Sequence, residues 1–492
     1  MSGSGARARA ALRSTDFARL LQARLLSQFG DGLFQAFLID RLVFLSPDQQ
    51  GTAAGVARAL AVLVIPFSVL GPFAGVLIDR WSRRRILLLT PLVRAAFAVA
   101  LIPLHGDGWI LYVPTLVIVS LNRFYLSTAG AVMPLVVPEE DLLVGNSLAS
   151  AAGTVCTFAG LVIGTQVAGA SGPGVLLVAV AVLWPVAAAL AMRISHDLRS
   201  VSPAGVADDR LTQVPRDLWR GARRLLATPP AIGGIASASY DQVLFGIVSV
   251  LSVVVFKQRY QEGVASYGRI IAAGGAGVIA GMFTVGWFES RLTKSRIVAA
   301  AFAVGGLACL LVAPAVNALT ILVLSFALGI SYPWRKIPID TIVQETTPDR
   351  FRGRVFSLYD LAFSTARVLA AVLAVLLVPR LSTGQMLAVI GVAYMAWTPV
   401  LPAWARRPQR VGIRFLAGGR ADETPSAVVI GGEVEPVEVL ARRLEDRGKG
   451  PAPRFRLRTT DGVIDVAPDP RSDRWAIERA YALEPEENGA VT

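Results

Sequence analysis

The sequence predicts an all-α membrane protein: about twelve transmembrane helices in two six-helix halves, followed by a small cytoplasmic α+β appendage. Three observations carry this expectation. Of 492 residues, 54% are hydrophobic and only 17% charged, where a soluble chain would carry nearer a quarter charged residues. The apolar residues fall in blocks of roughly twenty, the length a helix needs to cross the hydrocarbon core. The basic residues are placed asymmetrically between the connections.

Twelve apolar spans are read at 20–45, 53–78, 86–104, 110–135, 145–170, 174–194, 230–256, 264–288, 297–315, 319–345, 355–379 and 384–404. Alternate connections fall on opposite sides. One set, made of the N-terminus, 79–85, 136–144, 193–229, 289–296 and 346–354, holds about twenty-one Lys/Arg. The other holds Lys257, Arg259 and Arg380. Basic loops stay inside, so both termini are expected in the cytoplasm and the chain in the inner (plasma) membrane. The formal charge of +13 needs no nucleic acid to explain it, because Lys/Arg and Asp/Glu balance from Arg406 onward. The excess belongs to the membrane part.

The domains expected are a basic N-terminus (1–19), a first bundle (20–194), a linker (195–229), a second bundle (230–404) and the appendage (405–492). An offset of 210 residues relates the two bundles. Asp31 falls on Asp241, each in the first span of its half, and Asp79 falls on Glu289. Pro138 with Ser147-Leu148 falls on Pro348 with Ser357-Leu358. Such internal symmetry marks two halves descended from one unit. Within the appendage, Val434–Arg447 reads as an amphipathic helix, Arg454–Val466 as a hairpin, and Asp473–Leu483 as a last helix.

Cys156 and Cys309 lie in apolar segments, so no disulfide or metal site is expected. The basic N-terminus is not followed by a short apolar stretch with a cleavage site, so the first span reads as a retained helix. His105 and His196 lie in loops, which leaves no histidine relay within the bilayer. No phosphate-binding loop or catalytic constellation is present, so neither an enzyme nor a cofactor is expected.

The segment Gly75-Val-Leu-Ile-Asp79-Arg80-Trp-Ser-Arg83-Arg84-Arg85 resembles the loop 2–3 signature of the major facilitator superfamily, with Ser82 replacing its second glycine. Gly75 lets a neighbouring helix approach closely. Three further segments resemble the bacterial macrolide and siderophore (enterobactin) exporter branch: Arg24–Gly32, Val137–Leu148 and Pro348–Leu358. The resemblance spans about 15–404. It implies two six-helix bundles, alternating access, and export driven by proton influx, with the Gly75–Arg85 loop (Gly75, Asp79, Arg80, Arg83, Arg84) helping to set the inward/outward balance. The chain departs from the family at Ser127, where a glycine is usual, and after Gly164, where a Gly-Pro pair is usual.

A charge at mid-membrane needs a partner, a water-filled cavity or a task. Arg24, Gln28, Asp31 and Gln35 share one helical stripe of span one that must face the bundle interior. Asp31 is the expected proton carrier, the alternative being permanent pairing with an arginine. Asp241 takes the equivalent place in span seven. Arg123 shares a stripe with Ser120 and Ser127, resembles the family's span-four arginine, and is expected to modulate Asp31; Arg94 reads as a structural partner. Pro333 and Pro338 predict that span ten kinks and faces protein or a cavity, because they free backbone carbonyls. Lys336 and Asp340 are four apart and able to pair. Asp360 and Arg367, seven apart in span eleven, read as a self-neutralising pair that could also line a cargo path.

The function expected is therefore proton-coupled efflux of amphipathic small molecules by a monomeric secondary transporter. The alternatives are a lipid or lysolipid transporter on the same fold, or a transporter-like sensor or assembly protein whose tail binds a cytoplasmic partner. Protons, the lipid bilayer and a small amphipathic substrate are the expected partners.

Overall fold

The computed structural model describes residues 14–41, 82–103, 109–138, 142–194, 219–259, 264–415, 424–446, 451–460, 462–469 and 475–481. Span two, with Gly75, Asp79 and Arg80, lies outside these residues, as do His105 and His196. The first half contains α1 (Thr15–Ile39, span one), α2 (Arg83–Leu101, span three), α3 (Trp109–Val136, span four), α4 (Leu142–Ser171, span five) and α5 (Gly174–Met192, span six). The second contains α6 (Pro229–Arg259), α7 (Val264–Glu289), α8 (Lys294–Val312), α9 (Ala318–Thr346), α10 (Asp349–Leu377) and α11 (Thr383–Trp397), which are spans seven to twelve, with α12 (Val400–Ala405) continuing the last. Among the described residues, nine of these segments are long and apolar enough to cross a membrane. The apolar windows of α1 and α2 are broken by Arg24, Asp31 and Arg94.

Local chemistry sets several helix starts. Ser14 caps α1 by accepting from the Phe17 amide, and its hydroxyl donates to the Val136 carbonyl. Asn317 with Thr320 and Ser382 with Gln385 form reciprocal capping boxes at α9 and α11, satisfying amides a helix start leaves unpaired. Both prolines of α9 are buried, and the helix runs through them from Ala318 to Thr346.

The 210-residue repeat is visible in the packing. Span one packs on span five in the first half (α1 on α4), and span seven on span eleven in the second (α6 on α10). Span three packs on six (α2 on α5), and nine on twelve (α8 on α11). Glycines make the closest crossings. A Cβ on Gly160 of α4 would stand 2.2 Å from the Phe29 carbonyl oxygen of α1, and one on Gly329 of α9 would stand 2.1 Å from that of Gly274 in α7. Small residues supply the close van der Waals packing that joins helices in lipid. The halves meet where α4 crosses α7, with Gly169 against Ala265 and Gly268 against Thr165. Apolar side chains such as Phe283 (83% exposed) and Leu311 (70%) point outward, as a hydrocarbon solvent requires.

Past α12 the chain forms a seven-stranded antiparallel sheet: β1 (Gln409–Phe415), β2 (Pro425–Ile430), β3 (Glu433–Pro436), β4 (Glu438–Asp446), β5 (Pro451–Thr459), β6 (Gly462–Pro468) and β7 (Trp475–Tyr481), in the order β3-β2-β1-β7-β6-β5-β4. The expected hairpin is β5–β6, closed with Thr459 opposite Gly462. Two helix expectations are corrected. The described part of Val434–Arg447 falls in β3 and β4, and that of Asp473–Leu483 is β7. Short half-apolar segments fit either period, and pairing with β5 and β6 decides the matter here.

The sheet is fastened to a helical stretch over 219–226 that precedes α6. Ala227 packs against the sheet core around Phe455 and Val466, and buried Arg224 lies 3.7 Å from buried Glu435. Gly431 takes a left-handed φ of 61° where a Cβ would meet the Arg223 carbonyl at 3.0 Å. Glycine alone adopts that backbone without strain in so narrow a space.

Candidate functional site: paired charges around a central cavity

Helix α1 buries Gln28 and Asp31, while Arg24 and Gln35 at the ends of the stripe are half-buried. Arg24 Nε donates to Gln28 Oε1 at 3.2 Å. Asp31 forms a buried ion pair with Arg94 of α2. Arg94 also donates to Ser27 Oγ at 3.3 Å and lies 4.0 Å over the Trp184 ring of α5. The guanidinium is thus held by a carboxylate, a hydroxyl and an aromatic face, three attractive partners for a desolvated cation. Trp184 sits against α1 where residue 30 is glycine; a Cβ there would meet Trp184 Nε1 at 2.8 Å. Arg94, rather than Arg123, is the arginine that meets Asp31.

The second half repeats the arrangement with one change. Asp241 of α6 takes the equivalent place, forms an ion pair with Arg335 (Nε at 3.0 Å) and accepts a hydrogen bond from the Tyr394 hydroxyl at 3.0 Å. Arg335 donates further to Ser331 Oγ (2.9 Å) and the Ala301 carbonyl (3.3 Å), and lies 5.6 Å over Tyr394. The arginine comes from span ten here and from span three in the first half. Trp184 and Tyr394, however, stand 210 residues apart in matching helices. That aromatic coincidence, at the offset already marked by the aspartates, was the sequence signal for a capped pair.

Between the halves, Arg123 of α3 donates to Asp360 Oδ2 of α10 at 2.7 Å. This differs from the expected Asp360–Arg367 pair, which does not form. Seven residues of helix rise roughly 10 Å, which aligns two side chains on one face but holds them about two turns apart. Lys336 donates to Asp340 Oδ1 at 2.6 Å on α9 and lies 4.9 Å over the Tyr359 ring. Of the signature loop, the described arginines reach helix ends: Arg83 donates to the Ala131 carbonyl (3.2 Å) and Arg84 to that of Met192 (2.8 Å). Cations there meet the negative ends of α3 and α5.

Asp31 and Arg94 form one wall of a cavity of about 130 Å³ at the junction of the halves. Gln35, Phe34 and Asn122 belong to the same side, and Arg367 of α10 faces them from the second half. Asn122 and the aromatic caps were not singled out in the sequence, because a neutral amide or an aromatic in an apolar span carries no charge signal. Asp241 and Arg335 do not line this cavity. The two buried pairs thus differ in access: one opens on the junction, the other is enclosed by α6, α9 and α11.

Comparison with known proteins agrees with this architecture. The Major Facilitator Superfamily family model matches residues 20–371 and 247–434. Uncharacterized MFS-type transporters of Mycobacterium tuberculosis and Mycobacterium bovis are 32% identical to the chain over 414 residues, covering 80% of it and 92% of each relative. Macrolide efflux protein A of Streptococcus pyogenes is 28% identical over 111 residues, 22% of this chain and 27% of that one. Among solved structures, a mutant of the peptide transporter POT superposes with a TM-score of 0.62 at 14% identity, covering 79% of this chain and 94% of its own. A mutant of the nucleoside transporter NupG gives 0.55 at 14%, covering 79% and 99%. At such identity these two speak for the fold alone. Helix packing repeated between the two halves, buried charge pairs flanking the junction, a matching family model and a relative matched over most of its length lead to one assignment: the chain belongs to the major facilitator superfamily of membrane transporters.

Proposed function

We propose that the chain exports amphipathic small molecules across the plasma membrane by alternating access, with both termini in the cytoplasm and Asp31 carrying the proton that powers the cycle. One observation carries this reading: the Asp31–Arg94 pair is buried yet forms a wall of the cavity between the halves. A proton and Arg94 compete for one carboxylate, so protonation loosens the contact that ties α1 to α2 beside the cargo path. The Arg123–Asp360 contact joins the halves across the same junction and would have to break as they rock. The short match to a macrolide efflux protein supports the outward direction and an amphipathic cargo.

The test is energised uptake of fluorescent amphipathic dyes into inverted membrane vesicles. Wild type accumulates dye and loses it on addition of a protonophore, whereas Asp31→Asn, expressed to the same level, does not accumulate it. Equal accumulation by Asp31→Asn would make Asp31 a structural residue and remove the coupling scheme.

A second reading, a lipid or lysolipid carrier independent of the proton gradient, is favoured by a different observation. Asp31 is already neutralised by Arg94, while Arg367 leaves a cation facing the cavity. Dye accumulation that survives the protonophore but follows an imposed membrane potential would select it.

A further inference from the structure

Among the described residues, the charges around the junction do not cancel. Asp31 is matched by Arg94, Asp360 by Arg123 and Asp340 by Lys336. Arg367 is left over. Its side chain is accessible and lines the cavity, and it makes no hydrogen bond or ion pair with any other described residue. A cation at this depth costs several kcal/mol unless water or a ligand answers it. Arginine in particular offers a planar fork of donors that matches a carboxylate or phosphate with two parallel hydrogen bonds.

We infer that this cavity binds the oxyanion head of an amphipathic cargo, with Arg367 as its anchor. The dimensions agree with a head rather than a whole molecule: 130 Å³ falls well below the roughly 300–1,000 Å³ of pockets that bury a whole small molecule. Phe34, Ile118 and Val119 form an apolar flank on which the head's first carbons can rest. A cation entering beside Arg367 would meet repulsion from a guanidinium that no described carboxylate neutralises. The inference rests on the reading that this cavity is the cargo path, and it adds the sign of the cargo's charge. It also adds a source of energy, since a negative charge moving outward releases about 2.3 kcal/mol per 100 mV of membrane potential.

The experiment is equilibrium dialysis of full-length protein in lipid nanodiscs, against protein-free nanodiscs, with two matched probes: 1-pyrenebutyrate and 1-pyrenebutylammonium. Wild type should bind the carboxylate saturably and at least tenfold tighter than the ammonium. Arg367→Gln should lose at least tenfold for the carboxylate and stay within twofold for the ammonium, while Arg367→Lys should fall between. Absence of saturable carboxylate binding by wild type, an ammonium bound as tightly, or an unchanged Arg367→Gln would each overturn the inference. Vesicle transport separates it from the export reading. Dye export without carboxylate preference overturns the anionic head and leaves export standing. Carboxylate binding that depends on Arg367 in a protein that moves no dye supports the head group and counts against the dye-efflux reading.

Discussion

Trp184 and Tyr394 stand 210 residues apart, in the last helix of each half, and each closes over the guanidinium of a buried aspartate–arginine pair. The aspartates are related by the same offset, whereas the arginines come from non-equivalent helices. The halves have therefore kept the position of the buried carboxylate and of its aromatic lid while recruiting the cation differently. This asymmetry leaves one pair beside the junction and encloses the other.

The first prediction concerns stability at the junction pair. Arg94→Gln leaves Asp31 charged and unmatched in a buried site and should cost about 3–5 kcal/mol, as breaking a buried pair does. The double variant Asp31→Asn with Arg94→Gln should recover most of that loss. Unfolding by denaturant in detergent reads both. Equal losses in the single and double variants would mean that the pair contributes through packing alone.

The enclosed pair should behave differently in transport. Asp241→Asn leaves Arg335 with one fewer partner and should lower the unfolding midpoint, yet the protein that does fold should keep its response to a protonophore. Dye accumulation normalised to folded protein is the measurement. Loss of the protonophore response would assign proton carriage to the second half as well.

Across the junction, Arg123→Gln and Asp360→Asn should each shift the inward/outward balance with little effect on stability, since the pair is partly exposed and worth about 1 kcal/mol or less. The exchange variant Arg123→Asp with Asp360→Arg should restore the wild-type distribution. Distances between spin labels on the two halves report this. An exchange variant no closer to wild type than the single ones would show that the contact does not bias the equilibrium.

Helix crossing gives the steepest expectation. Gly160→Val puts a branched side chain where even a Cβ would be 2.2 Å from the Phe29 carbonyl oxygen, so α1 and α4 must separate. Little folded protein should be recovered, as judged by gel filtration in detergent. Gly286→Ala, where a Cβ meets nothing within 4 Å, serves as the tolerated control.

At the appendage, Arg224→Ala leaves Glu435 buried without its cation and should loosen the sheet from the 219–226 helix while the membrane helices stay folded. Limited proteolysis should then release the sheet faster than in wild type. An unchanged digestion rate would show that Gly431 and the apolar contacts of Ala227 hold it without the charge pair.

Much of this molecule was legible along the chain, and the reason is the solvent. A bilayer demands that every backbone polar group be satisfied within its own segment, so span length, loop charge and the 210-residue repeat were written locally in hydropathy and in residues such as Asp31 and Asp241. The identity of charge partners was not. Asp31 and Arg94 are 63 residues apart and Arg123 and Asp360 are 237; helical spacing had suggested Arg367 for Asp360, and the family resemblance Arg123 for Asp31. Only the packing of α2 on α5 and of α3 near α10 decides which guanidinium reaches which carboxylate, and hence that Arg367 is, among the described residues, the cation left facing the cavity. The appendage gives the same lesson in water. Its strands borrow their hydrogen bonds from distant neighbours, so segments that read as helices became β4 and β7 once β5 and β6 lay beside them.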